Sequence, residues 1–293
     1  MSYARFPPGG NLLVPLSSSA ACRAGISMWS ACRPAARALR TVTYHVVGLI
    51  GTMPLRLLSR DEWSPAVDAT TWNDFSDIWS GWFGPFDEIA LYRPGQAERA
   101  GFAGLLLNEG KGVGFVKCRP DWDFGPEAAV IRLASGARSF QTPSLVGVTT
   151  RSGWATMGLS PIVGGLHRAR LPRPPTSVAK ETADLLSKLH PPISEKSHWV
   201  PMHGDMGPWN LRHHDNVGYI LFDWEHSRLG PPGADLVFHT VACRAMGIRG
   251  GGDVDGFDEA ASFWLQEIPR RFGRASTDQR LAAQMVDELN RLT

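Results

Sequence analysis

Two short apolar runs, Leu211 to His214 and Tyr219 to Phe222, flank the turn-forming segment Asp215-Asn216-Val217-Gly218. Turn chemistry between two runs of strand length predicts a hairpin. The residues at its open end are polar and fixed in spacing. His203-Gly204-Asp205-Met206-Gly207-Pro208-Trp209-Asn210, an HxDxxxxN string, precedes the first run, and Phe222-Asp223-Trp224-Glu225 closes the second. A hairpin brings Asn210 and Asp223 to one end, where an amide oxygen and a carboxylate make a site for Mg²⁺. One stretch thus fixes a turn, two strands and a polar site together.

Around that stretch the pattern changes from strands to helices. Trp72, Phe75, Trp79 and Trp82 or Phe83 recur at helical spacing within Trp63 to Phe83 and read as a core-facing stripe. Strands are predicted at Ile89 to Tyr92, Gly104 to Asn108 and Val113 to Cys118, the last two joined by the turn Glu109 to Gly112. Pro126 to Leu133 reads as a helix, with proline early and Glu127 in the first turn. Two more strands, Leu145 to Thr149 and Trp154 to Leu159, precede the amphipathic run Ser177 to His190 and a mostly helical remainder. This order predicts an α+β protein with a small antiparallel-sheet N-lobe over residues 53–158 and a larger, mainly helical C-lobe over 159–293.

Charge narrows the partners. Thirty Lys and Arg against 28 Asp and Glu leave a net +2 with no basic run, which gives no reason to expect nucleic acid. A small-molecule partner fits better. The four cysteines are scattered and form no CxxC pair, so a cytoplasmic, reducing setting is the simplest expectation. No apolar stretch approaches bilayer length, so no membrane partner is expected. Residues 1 to 60 contain no acid, although they carry arginines from Arg5 to Arg60. They lack the compact charged region, apolar core and cleavage site of a leader. Residues 1–52 are therefore expected to be a poorly ordered extension, with the fold contained in a chain beginning at Met53.

Phosphoryl transfer asks for a positioned hydroxyl acceptor, metal-neutralised phosphates and a base for the acceptor's proton. Asp205, Asn210 and Asp223 occupy the slots that protein kinases give to the base and the two metal ligands. The string and its sequel resemble the HGDxxxxN and DW(E/G) signatures of the aminoglycoside phosphotransferase and choline kinase superfamily. That resemblance covers roughly Leu91 to Leu236 and implies a bilobal, protein-kinase-like fold, with ATP and Mg²⁺ as cofactors and a small-molecule hydroxyl acceptor. HGD and DWE stand where protein kinases have HRD and DFG.

The resemblance also implies roles residue by residue. Lys117, ending Gly114-Phe115-Val116-Lys117, would hold the α and β phosphates, and Glu127 fits as its partner better than Asp121 or Asp123. Pro94 to Gly104 would cover the phosphates without a GxGxxG match. Backbone groups around Leu159, Ser160 and Ile162 would meet adenine. Asp235, after the Gly/Pro-rich turn from Gly230, would cap the next helix and hold the catalytic loop, which His203 would brace.

Blander or competing readings remain beside these. Adjacent strand residues point to opposite faces, so His213 and His214 cannot share a zinc ion. Asp253 to Glu259 lacks calcium-loop spacing and reads as a charged helix start that could also line an acceptor cleft. A kinase-like module that binds without catalysing, or a metal-dependent hydrolase using His203, Asp205 and Asp223, are the alternatives to a kinase.

Overall fold

The aromatic stripe decides the architecture of the sheet. A computed structural model describes residues 2–58, 67–93, 100–162, 165–169, 171, 174–191, 198–248, 252–272 and 276–292. The beginning of the expected stripe at Trp63 and the loop from Pro94 to Arg99 lie outside them. Helix α4, Ala69–Phe83, starts at Asp68, whose carboxylate accepts the Thr71 N–H at 2.9 Å. It buries Thr71, Phe75 and Trp79 on one face. Trp82 and Phe83 fit against the sheet because the facing positions are glycines: a Cβ on Gly147 would lie 2.6 Å from the Trp82 ring, and one on Gly114 2.5 Å from the Phe83 ring.

The sheet has seven strands in the order β1-β2-β3-β4-β5-β7-β6, every neighbouring pair antiparallel. Five were expected: β3 Glu88–Tyr92, β4 Phe102–Asn108, β5 Lys111–Pro120, β6 Leu145–Arg151 and β7 Trp154–Leu159. Glu109 and Gly110, at φ of 50° and 74°, make the tight β4–β5 turn.

The other two strands correct the expectation of a loose N-terminus. β1 Tyr3–Phe6 and β2 Leu12–Pro15 form a hairpin, and β2 pairs with β3 through Leu12↔Tyr92 and Leu13↔Leu91. Alternation decides its packing. Tyr3 and Leu13 join the core of Phe75, Trp79 and Ile89, whereas Phe6, Leu12 and Val14 face Cys22 and Ile26 of α1, Ser19–Ser27, and Val47 of α2, Pro34–Ile50. The hairpin and one face of α1 are apolar core, whereas α2 buries only Arg40 and Val47. Helix α3, Met53–Leu58, adds Leu55 to the same cluster.

Two compact units share the chain. One comprises Met1–Ser30, Arg37–Ala128 and Pro143–Leu166. The other comprises Ala31–Ala36, Ala129–Thr142 and His167–Thr293, so the expected boundary after residue 158 falls after Leu166. The first is the α+β sheet unit, taking about half of the chain because the hairpin and α1 to α4 belong to it. The second is mainly helical. Its core gathers Phe238 of α7, Ala234–Ala245, Trp264 and Ile268 of α8, Asp258–Phe272, and Met285 and Leu289 of α9, Ser276–Asn290. Two small ladders interrupt the helices: β8 Val200–Met202 with β11 Arg228–Gly230, and the hairpin of β9 Leu211–His214 with β10 Gly218–Leu221. The expected helix from Ser177 is α6, Thr176–Leu186. Among the described residues no helix is long and apolar enough to cross a membrane.

Candidate active site

In the sheet unit, alternation along β5 sends Val116 and Cys118 into the core with α4 and Lys117 to the opposite face. The Lys117 backbone lies between Ala103 of β4 and Met157 of β7, which fixes it on both sides. Glu127 comes from the first turn of α5, Gly125–Ala134, where the helix N-terminus favours a negative charge. Lys117 Nζ donates to Glu127 Oε1 at 2.6 Å, with side-chain exposures of 13% and 3%. Asp123 is used locally, accepting the Gly125 N–H at 2.7 Å.

At the end of β7, Leu159 pairs with Phe115 and Leu145. The Ser160 N–H donates to the Ser144 carbonyl, and Ser160 Oγ accepts the Ser144 N–H, each at 2.8 Å. The Ser160 N–H is therefore already committed within the unit.

In the helical unit the loop from His203 to Asn210 connects β8 to β9. Its entrance is held by Asp235, whose Oδ2 accepts the His203 N–H at 2.7 Å and whose Oδ1 accepts the Gly204 N–H at 3.0 Å. Gly233, not Asp235, is the α7 N-cap residue, so the expected capping role falls away and the carboxylate serves the loop alone. Burial pushes the Asp235 carboxyl up to about 6 against the pull of the two N–H donors. Gly204 sits at φ 74°, and a Cβ there would lie 2.3 Å from the His226 carbonyl oxygen, so only glycine fits.

His203 ties the two motifs together. Its Nδ1 accepts the Asp205 N–H at 3.1 Å, which leaves Nε2 to donate to the Phe222 carbonyl at 2.9 Å. That pattern requires the neutral ring, and burial lowers its pKa to about 3. The Phe222 N–H donates to the Asn210 carbonyl at 3.0 Å, continuing the β9–β10 hairpin and setting Asn210 opposite the residue before Asp223. Asp223 adopts φ 62°, a conformation uncommon outside glycine and concentrated at functional sites.

Asp205 is 6% exposed. Its Oδ1 accepts Trp209 Nε1–H at 3.1 Å and its Oδ2 accepts Asn210 Nδ2–H at 3.0 Å. Asn210 Nδ2 also donates to the Asp205 carbonyl at 3.0 Å. With its amide nitrogen spent on Asp205, Asn210 keeps its oxygen for another partner. Burial raises the Asp205 carboxyl, and the guanidinium of Arg271 is the foremost influence lowering it.

The structure thus gathers His203, Asp205, Asn210, Asp223 and Asp235 in the helical unit, and Lys117 and Glu127 in the sheet unit. Arg271 was not found from the sequence. It lies in the last turn of α8, donates from Nη1 to the Gly204 carbonyl and holds Nη2 3.1 Å from Asp205 Oδ2. No motif marks it. Trp209 was visible only as a variable position of the string. Of the acids around Asp253, Glu259 accepts Trp199 Nε1–H and meets His198 Nε2, both at 2.9 Å, in the first turn of α8. His213 faces Asp215 and Tyr219, while His214 meets His167.

Residues 126–273, half of the chain, match the phosphotransferase enzyme family. No curated protein matches the chain. Among solved structures it is similar to a spectinomycin phosphotransferase bound to ADP and spectinomycin, with 14% identity, a TM-score of 0.47, and coverage of 74% of this chain and 93% of that one. It is also similar to an aminoglycoside phosphotransferase in a ternary complex with streptomycin and ATP, at 12% identity and a TM-score of 0.42, over 78% of this chain and 97% of that one.

Proposed function

The chain belongs to the phosphotransferase enzyme family, and from that premise we propose that it moves the γ-phosphate of ATP to a hydroxyl of a small molecule, with Asp205 as base. The observation that carries this reading is how Asp205 is held. A buried carboxylate, aligned by Trp209 and Asn210 on a loop braced by His203 and Asp235, is a preorganised acceptor for one proton. A carboxylate offers about four acceptor positions, so those donors leave room for a hydroxyl.

The residues fit Mg²⁺. The Asn210 amide oxygen and the Asp223 carboxylate are hard oxygen donors at one end of the hairpin, and they would hold the ion. When bound, it neutralises the charge on the phosphates. Lys117 binds the α and β phosphate oxygens as a point charge, and Glu127 fixes the direction of its Nζ. The backbone from Leu159 to Ile162 meets the adenine edge. Because Ser160 has spent its N–H and Pro161 has none, the Ile162 N–H is the donor of this stretch and the carbonyls are its acceptors. The same proposal sets the enzyme in the cytoplasm, where its four buried cysteines, none of them in a disulfide, stay reduced.

Two substitutions separate the duties of the two aspartates. Asp205→Asn should leave Mg·ATP binding intact and lower turnover about 10³-fold. Asp223→Asn should weaken Mg²⁺-dependent nucleotide binding, with partial recovery at raised Mg²⁺. Near-normal acceptor phosphorylation by Asp205→Asn would overturn the assignment. Nucleotide binding without turnover, across sugar, amino alcohol and antibiotic acceptors, would instead support a silent module.

A further inference from the structure

Arg271 stands beside Asp205, and the metal site gives no reason for it. Its side chain is 13% exposed and that of Asp205 8%, with Nη2 and Oδ2 separated by 3.1 Å. The contact is at ion-pair distance but lacks hydrogen-bond alignment. Among the described residues Nε and Nη2 are both buried without a hydrogen-bond acceptor, and Nη1 is satisfied by the Gly204 carbonyl. Arginine meets a carboxylate best through two parallel hydrogen bonds. This guanidinium instead keeps two donors unmet in a shielded place, a costly state that calls for a partner.

Asp205 is where the acceptor hydroxyl must come if the reading above is right, and this inference rests on that. Any charged substituent next to that hydroxyl therefore enters the field of Arg271. A buried like charge within a few ångströms is strongly disfavoured, and an oxyanion there is favoured. Of the carboxylates beside it among the described residues, Asp205 is turned to the acceptor hydroxyl and Asp223 to the metal in that reading. Glu259 is already held by Trp199 and His198, and it lies twelve residues from Arg271 along α8, about 18 Å at the helical rise per residue.

We propose that Arg271 selects the acceptor by charge: the site takes a hydroxy acid, a compound with a carboxylate close to the hydroxyl that is phosphorylated, and rejects its amino counterpart. Held to the loop by a single carbonyl and unaligned with Asp205, the guanidinium turns toward the arriving carboxylate without breaking a bidentate pair. The acceptor carboxylate supplies the oxygens that Nε and Nη2 lack. Asp205 is then released toward the hydroxyl.

Three probes of similar size test this: D-glycerate, glycerol and serinol, titrated calorimetrically into the full chain and offered with Mg·ATP as acceptors. Glycerate should bind at least tenfold more tightly than serinol and be favoured about 10²-fold in kcat/KM. Arg271→Gln should bring the probes level, and Arg271→Lys should keep most of the preference. If Arg271→Gln does not melt cooperatively, Arg271→Met takes its place in the same titration. Equal or absent binding of glycerate and serinol, or a preference that survives loss of the guanidinium, overturns the inference. A glycerate preference in binding that vanishes with Arg271, without transfer to any probe, supports it while counting against the phosphotransferase reading.

Discussion

Each unit buries a cation against a carboxylate, and the two pairs are built differently. Lys117 and Glu127 sit on a central strand and a helix start, 2.6 Å apart and hydrogen-bonded. Arg271 reaches from a helix end to a loop and stands 3.1 Å from Asp205 without alignment. In the sheet unit, regular backbone delivers the charges and packing holds them. The helical unit relies on buried polar groups to hold a loop, and leaves one cation under-satisfied beside Asp205. Alignment marks a pair that stays closed, and misalignment one that must open.

The sharpest way to break the sheet side is to remove its N-terminus. Deletion of residues 1–52 removes Phe6, Leu12, Leu13, Val14 and Leu16 from the core and uncovers the face they cover. At about 1.5–3 kcal/mol for each large apolar side chain, the loss rivals the whole stability of a domain, about 5–15 kcal/mol. The truncated chain should lose its cooperative melting transition. Unchanged melting would return the segment to the status of an extension.

A smaller effect should separate the members of the aligned pair. Lys117→Met should weaken nucleotide binding about 10²-fold and Glu127→Gln about tenfold, because under the proposed function one would remove the phosphate contact and the other only its orientation. Equal losses in a titration with an ATP analogue would show that the pair acts as one structural tie.

The smallest expected effect is on the polar side. His203 and His239 are buried with folded pKa values of about 3 and about 4, below the ordinary histidine value of about 6.5. Between those values the unfolded chain binds protons that the folded chain refuses, so stability is present above about 6.5 and is lost as the pH falls toward 4. Asp235 works in the opposite sense: raised to about 6, it favours the folded state as the pH falls through that value. From these three groups the loss from pH 7 to pH 5 should be about 2 kcal/mol, which the raised Asp205 carboxyl reduces. Urea melts at the two pH values measure it, and His239→Gln should flatten the dependence. A helical unit equally stable at both would mean that the buried rings are not what holds it.

Legibility followed the same divide. Helical spacing made α4 readable, because periodicity translates directly into faces, while Lys117 and Glu127 were readable through the family resemblance, on a predicted strand end and a predicted helix start. The loop was readable because its residues are close in sequence. Arg271 was not, because sixty-six residues separate it from Asp205 and its neighbours Pro269 and Arg270 read as an ordinary helix end. The N-terminal hairpin was missed for another reason. Its composition drew attention to what it lacked, while Leu12 to Val14 is a short apolar run whose strand character depends on a partner, β3, far along the chain.

That hairpin also settles how the sheet ends. With β3 outermost, the row of N–H and C=O groups along Leu91 and Tyr92 would stand open as a template for a strand of another chain. β2 occupies the row, and the new border is β1, only four residues long and followed at once by Pro7, which has no N–H to offer. A short, proline-ended border gives a stranger little to pair with. The hairpin therefore covers the edge of β3 as well as forming part of the core.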